Sequence, residues 1–353
     1  MTTHLTLSDR LVATWYTPRL TVLAAALLPL ALIFRVAATL RRMLYRTRVL
    51  RGERVPVPVV VVGNIVVGGS GKTPLTIALA DALRSRGWHP GIVSRGHGGS
   101  SATPRPVRAG ASPDEVGDEA LLLIRSGHPV WVGHDRPAVS RGLLAEHPEC
   151  DLIVSDDGLQ HYALERDVEI AVIDAARGLG NGLALPAGPL REPASRLDQV
   201  DAVVWLGEPG PRRRAPAFAM SLTGTRFVRA NAPAVAVAAE AFRGGGVHAI
   251  AGIGNPQRFF DRLSELGIRA TVHAFPDHYR FTAEDLAFPG ATAILMTEKD
   301  AVKCLAFADD RCWVLPVRAA PDPALLALIE EKLRGSQTAR DSRLPGDQGP
   351  ADL

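Results

Sequence analysis

Uniformly apolar runs and helical repeats take turns along the middle of this chain. Residues 57–62 are a Val-rich run closed by Gly63, with no polar position to face water. Such a run predicts a strand buried on both faces. Leu75, Leu79, Ala82 and Leu83 then fall at helical spacing, with Pro74 tolerated in the first turn and Gly87 as a stop. Ile92-Val93-Ser94, Asp151 to Asp156 and Val200 to Val204 repeat the strand pattern, and Gly117-Asp118-Glu119 opens an apolar helical run, Ala120 to Ile124. This alternation over residues 57–205 predicts a parallel sheet with helices on both faces. Any ligand then belongs at the carboxyl ends of the strands. Glu208 to Pro216 is rich in Pro and Arg and reads as a linker or exposed loop. A second α/β pattern starts near Ala234. It has strands at His248–Ala251 and Ala293–Thr297 and helices around Gln257–Leu266 and Leu325–Leu333.

The loop after the first strand carries the chemistry. Val66, Val67, Gly68, Gly69, Ser70, Gly71, Lys72 and Thr73 stand between a strand and a helix. In that setting backbone N–H groups wrap a β-phosphate, the lysine reaches the β/γ oxygens and the threonine hydroxyl ligates Mg²⁺. The helix N-terminus adds its positive dipole end. The strict pattern has Gly where Val66 stands, and a glycine-rich turn with a solvated lysine is the plain alternative. The flanking strand and helix favour nucleotide binding. A second strand ends in Asp156 and Asp157, where phosphate-loop enzymes hold Mg²⁺. Thr73, Asp156 and Asp157 are therefore the candidate metal residues, against a turn capped by two acids. Arg95, in the glycine loop after Ser94, is a candidate phosphate clamp or a solvated side chain. Asp118 on its own reads equally as a first-turn helix acid. The fold class is a P-loop NTPase-type α/β sheet with a second, smaller α/β domain.

Composition is that of an ordinary globular protein of 353 residues, with room for about two domains. Cys150, Cys304 and Cys312 show neither a disulfide framework nor zinc spacing. The net charge of +3 hides an asymmetry: residues 1–56 hold nine arginines against Asp9 and Glu53, or +7, which leaves −4 for the rest. No basic stripe interleaved with aromatics marks the body, so nucleic acid is not an expected partner, and nothing calls for an obligate protein partner.

Beside that basic excess lies the most apolar stretch. Leu20 to Phe34 carries no charge and stands between Arg19 and Arg35. As a helix it measures roughly 22 Å, short of the ~30 Å hydrocarbon core, and Pro29 interrupts it. An embedded or interfacial anchor on an anionic membrane surface fits better than a clean span, helped by Arg41, Arg42, Arg46, Arg48, Arg51 and Arg54. A signal peptide and a plain core helix share this layout. The expected organisation is a membrane-associated helical segment (1–50), a nucleotide-binding domain (51–225), a second α/β domain (226–334) and a disordered Gly/Pro/Ser-rich tail (335–353).

Several stretches together resemble the tetraacyldisaccharide 4′-kinase (lipid A 4′-kinase) family. They are Gly63-Asn64 through Gly68 to Pro74, Ser94-Arg95-Gly96, Gly117-Asp118-Glu119, and Asp156-Asp157-Gly158-Leu159-Gln160-His161. They continue with Gly180-Asn181-Gly182, Leu185 to Pro193, Gly252 to Pro256, Pro276-Asp277-His278-Tyr279 and Thr297-Glu298-Lys299-Asp300. The resemblance implies transfer of the ATP γ-phosphate to the 4′-hydroxyl of an acylated glucosamine disaccharide 1-phosphate. It also implies a site at the cytoplasmic face of the inner membrane of a Gram-negative bacterium. It makes Asp118 the base, assisted by His278, and puts His161, Asn181, Arg191 and Glu192 in family-like loops as further substrate candidates. His97 stands where the family has Tyr. A membrane-tethered P-loop ATPase switch is the competing reading, distinguished by release of inorganic phosphate without a phosphorylated product. A non-enzymatic nucleotide-binding scaffold would bind ATP without turnover. A GTPase is disfavoured because the guanine-reading N/T-K-x-D order is absent.

Overall fold

The computed structural model describes residues 7–17, 19–100, 103–211 and 213–341. Two helices come first, α1 (Leu7–Trp15) and α2 (Val22–Arg46). The chain then runs β1 (Val59–Gly63), α3 (Lys72–Arg84), β2 (Pro90–Ser94), β3 (Arg105–Pro106), α4 (Pro113–Val116), α5 (Asp118–Ile124), β4 (Val130–Val132) and α6 (Arg136–Glu146). It continues through β5 (Leu152–Asp156), β6 (Val168–Asp174), β7 (Ala202–Leu206) and β8 (Ala217–Thr223). The second unit holds β9 (Arg226–Arg229), β10 (Ala236–Ala238), β11 (Val247–Ala251), α7 (Pro256–Glu265), β12 (Thr271–Ala274), β13 (Ala293–Thr297), α8 (Glu298–Cys304) and β14 (Cys312–Leu315). Last come β15 (Arg318–Pro321) and α9 (Pro323–Asp341).

The first sheet has nine strands in the order β15-β8-β7-β6-β1-β5-β2-β4-β3. The strands from β8 to β4 are parallel, while β3 and β15 close the edges antiparallel. Each strand of the centre is buried at every position of β1, β2, β5 and β7, as runs with no polar alternation require. One core lies on the face covered by α3, α5 and α9, through Leu75, Leu79, Leu123, Leu325 and Ile329. The other lies under α6 and the 190–215 segment, through Val139, Leu143, Leu190 and Trp205. The second sheet, β10-β9-β14-β13-β11-β12, is parallel over β14 to β12 and antiparallel at β9 and β10.

Two expectations are corrected at the C-terminus. Residues 318–334 do not belong to the second unit: β15 pairs antiparallel with β8 of the first sheet, and Leu325, Ile329 and Leu333 of α9 are buried in the first core. The free edge of β8 needs a partner, and an apolar stripe four residues apart needs a surface to cover. The expected disorder from residue 335 is also corrected: α9 runs to Asp341, because Gln337 to Arg340 are tolerant of helix once the preceding turns are packed. Residues 342–353 lie outside the described residues.

The apolar N-terminal helix is longer than Leu20–Phe34. Pro29 sits inside α2, which is 25 residues and about 37 Å long. A single missing donor does not stop a helix rich in Ala and Leu, and Thr21 caps its start, accepting from the Ala24 N–H at 3.2 Å. Only Ala24 and Ala31 of α2 are buried. Its foot is fixed by Arg42, which donates to Gln199 at 2.6 Å, and by Tyr45 against Tyr162, ring centroids 6.0 Å apart.

Candidate active site

The phosphate loop turns at Gly68 and Gly71, whose φ angles of +107° and +88° lie in the left-handed region that favours glycine. Gly71 is the N-cap of α3, so Lys72 and Thr73 open the helix and their end presents unpaired N–H groups. The Asn64 amide ties the loop down, donating to Gly68 O at 3.3 Å and to Ser70 Oγ at 3.1 Å. Tyr16, in the segment after α1, donates to Val67 O at 3.4 Å, and the Trp15 indole donates to Pro186 O at 2.9 Å.

Pairing of β1 with β5 sets Val62 opposite Asp156 and brings both acids to the loop. Thr73 and Thr76 hydroxyls donate to Asp156 at 3.3 and 2.8 Å. Burial is the main cause that pushes the Asp156 carboxyl up to about 7; the nearby charge of Glu119 adds to it and Lys72 opposes it. Asp157 differs. Arg191 Nη1 lies 3.1 Å from both of its oxygens and Lys72 Nζ 3.6 Å from one. Burial works to raise this carboxyl, but Lys72 and Arg191 outweigh it and hold it well below the usual range.

This donor set fits Mg²⁺ at Thr73 and Asp156: a hydroxyl and a carboxylate 3.3 Å apart, the carboxylate reluctant to ionise without a cation. Mg²⁺ takes one or two carboxylates and keeps several waters. Among the described residues no group of three or more His, Cys, Asp or Glu side chains is arranged to hold a metal ion, so water would complete the shell. Asp157 faces Lys72 and Arg191 instead, which lie on its oxygens.

Asp118 and His278 come from different units and meet. Asp118 opens α5 after Gly117, where a Cβ would strike His97 O at 2.4 Å. His278 sits at φ +60° in the loop after β12. Its Nδ1 lies 3.0 Å from Asp118 Oδ2, and the other carboxylate oxygen accepts from the Glu119 N–H at 2.9 Å. Burial would raise the Asp118 carboxyl, but the hydrogen bond from His278 and the charge of Lys299 bring it below its ordinary value. The same hydrogen bond raises His278. The His97 ring meets His278 edge-on at 4.8 Å. The two units also touch at the phosphate loop: a Cβ on Gly254 would lie 2.3 Å from Gly69 N, and Asn255 donates to Asp174 at 3.1 Å. A cleft of about 860 Å³ runs from Asp118 and His278 between α5 and α8, past Arg108, Leu121 and Phe281.

Other candidates part company. Arg191 joins the loop through Asp157. His161 stands half-buried, and burial, with Arg136 adding to it, pushes its imidazole down to about 3, so it is neutral. Arg95 is exposed. Glu192 and Asn181 engage neighbouring protein groups. Glu192 is buried, accepting from Tyr162 at 2.5 Å and ion-paired with Arg196 at 3.1 Å. Asn181 donates to Ala187 O and accepts from the Leu183 N–H. Sequence reasoning missed Thr76, one turn after Thr73 on the same helix face. It also missed Arg136, fully buried and donating to Asp156 O at 3.2 Å, which no local pattern marks.

Comparison with known proteins follows the same lines. The profile of the family described as tetraacyldisaccharide-1-P 4′-kinase matches residues 23–334. Relatives named tetraacyldisaccharide 4′-kinase include one from Dechloromonas aromatica, 53% identical over 317 residues, covering 89% of this chain and 93% of that protein. Another, from Pseudomonas aeruginosa, is 47% identical and covers 92% of this chain and 97% of that protein. The crystal structure of the Aquifex aeolicus protein described as "apo" form LpxK in complex with ATP superposes with a TM-score of 0.73. It is 28% identical and covers 88% of this chain and 99% of that one.

Proposed function

This chain belongs to the tetraacyldisaccharide 4′-kinase family, and on that premise we propose that it transfers the γ-phosphate of ATP to the 4′-hydroxyl of a tetraacylated glucosamine disaccharide 1-phosphate, a step in making lipid A. The observation that carries the reading is the 3.0 Å contact of Asp118 with His278, made between two units that also touch at the phosphate loop. On this reading a donor loop and an acceptor-side base share one assembly.

The 4′-oxygen attacks the γ-phosphorus in line, its bond to phosphorus forms, and the bond to the β–γ bridging oxygen breaks, releasing ADP. The hydroxyl proton goes to Asp118. A carboxylate held below its ordinary pKa is a weak base, which suffices where the transition state is loose and the proton leaves late. His278 orients that carboxylate through Nδ1–H. Lys72 and the N–H groups of the loop neutralise charge developing on the phosphates. Mg²⁺ held by Thr73 and Asp156 supplies further neutralisation when bound. The exposed apolar face of α2 and the arginines beyond it support a reading in which the enzyme works on an anionic membrane surface, and its need for ATP favours the cytoplasmic face.

The test is incubation with γ-labelled ATP, Mg²⁺ and extracted membrane lipid. Label migrating with a glycolipid is the expected result. Label recovered only as inorganic phosphate would overturn the reading in favour of an ATPase switch.

A further inference from the structure

Lys299 is the second residue of α8, whose first turn is fixed by Thr297, which accepts from the Asp300 N–H at 3.2 Å. Its side chain leaves that turn toward the other unit and is 14% exposed. The ammonium donates to Asp277 Oδ1 at 3.1 Å and to Glu119 Oε1 at 3.3 Å, and lies 3.9 Å from Asp118 Oδ2. It also lies 3.4 Å from His278 Nε2. It takes no part in the proton transfer to Asp118 or in neutralising the phosphates.

We propose that Lys299 is a positioning residue for the Asp118–His278 pair, one that selects the imidazole tautomer and keeps the carboxylate ionised. The inference rests on the kinase reading. An ammonium has donors only, so its contact with Nε2 requires a lone pair there. The proton of neutral His278 is then on Nδ1, aimed at Asp118. The Asp118 carboxylate asks for the same tautomer from the Nδ1 side, and Lys299 secures it at Nε2, where Asp277 Oδ1 at 3.8 Å would otherwise draw the proton.

The charges facing the pair support this. Asp118 and Glu119 come from α5, Asp277 from the loop that carries His278, and Lys299 and Lys303 from α8. His97 faces the ring from the loop after β2, with Arg95 near it. Lys303 is already paired with Asp300 at 2.8 Å. Removing the Lys299 charge leaves three carboxylates around one imidazole. Lys299 lowers the Asp118 carboxyl and opposes protonation of His278, so its loss raises both.

The experiment compares Lys299→Met, which keeps the stem, and Lys299→Arg, which keeps the charge, with the full-length enzyme. Lipid phosphorylation is followed against pH, and His278 is followed by its ¹⁵N ring shifts. Lys299→Met is expected to move the acid limb of kcat up by about one pH unit, to lower the kcat plateau by about 10-fold through loss of the oriented imidazole, and to leave KM for ATP unchanged. Lys299→Arg restores the limb. A folded Lys299→Met enzyme with limb and ring titration at the wild-type positions overturns the proposal, as does an Arg variant that leaves the limb displaced. If Lys299→Met does not fold, Lys299→Gln replaces it under the same criteria. Should the wild type phosphorylate no lipid, the kinase reading fails, and the ¹⁵N titration still decides the role of Lys299.

Discussion

Replacing Leu32, Ile33 and Val36 of α2 by serine tests membrane association without touching the phosphate site. The three side chains are 62%, 65% and 57% exposed. Complete burial of such a side chain contributes about 1.5–3 kcal/mol, and roughly 60% of that area is still in water on each. Entry into hydrocarbon therefore gains about 3–5 kcal/mol for the three together. At about 1.4 kcal/mol per decade, the triple variant should bind membranes about 10²–10⁴-fold more weakly. The folded protein should tolerate the change, because none of the three is part of a core cluster. The assay is co-sedimentation with vesicles containing anionic lipid, alongside thermal melting. Wild-type binding should also weaken with salt, since arginines flank the helix. A triple variant that melts normally and sediments like the wild type would refute the reasoning.

Asp118→Asn should lower kcat for lipid phosphorylation by about 10²–10⁴-fold, and combining it with His278→Ala should cost little more, since the two act as a unit; a fully multiplicative double variant counts against the pair. Asp156 should make the nucleotide-free protein less stable as pH rises from about 4 to 7. Its folded carboxyl, pushed up to about 7, keeps a proton that the unfolded chain has released. Asp156→Asn should flatten that slope and stabilise the free protein near neutral pH by up to about 4 kcal/mol, read by urea unfolding at several pH values. Glu192→Ala should destabilise by about 1–3 kcal/mol, because it removes the acceptor of the Tyr162 hydroxyl and one of two carboxylates on buried Arg196, which keeps Glu169 at 2.6 Å, while KM for ATP stays at the wild-type value; a rise in that KM without loss of stability would favour a substrate role for Glu192.

The central strands were legible because burial on both faces leaves uniform apolar runs, and Val59–Val62 is such a run in sequence and in structure. The edges were not. β8 alternates exposed and half-buried positions and owes its place to β15, nearly a hundred residues later, which no local pattern records. The same holds within the site. Gly71-Lys72-Thr73 announces itself because its chemistry is contiguous. Arg136 reaches Asp156 only through the packing of α6 on the sheet, and its sequence neighbourhood is that of any helix start. Glu192 lies in the most family-like stretch of the chain, yet its carboxylate is spent on Arg196 and Tyr162. A distinctive motif therefore marks a place where geometry is demanding, not necessarily where substrate is touched.

The chain crosses between its two units twice, after β8 and before β15, so the second unit hangs on two short adjacent links. Such a connection favours hinge motion. Opening that hinge would break Asp118–His278 and Lys299–Glu119, and with them Asn255–Asp174 and the approach of Gly254 to Gly69. In the proposed mechanism the first two contacts orient the base, and the last two bear on the phosphate loop. Because one rigid movement makes or breaks both sets, the acceptor hydroxyl meets an oriented base only while the second unit also presses on the donor loop. Water that enters the open cleft meets a carboxylate without its imidazole and a loop without its support. On the proposed mechanism, dividing the site between two units would favour transfer over hydrolysis through geometry that neither unit holds alone.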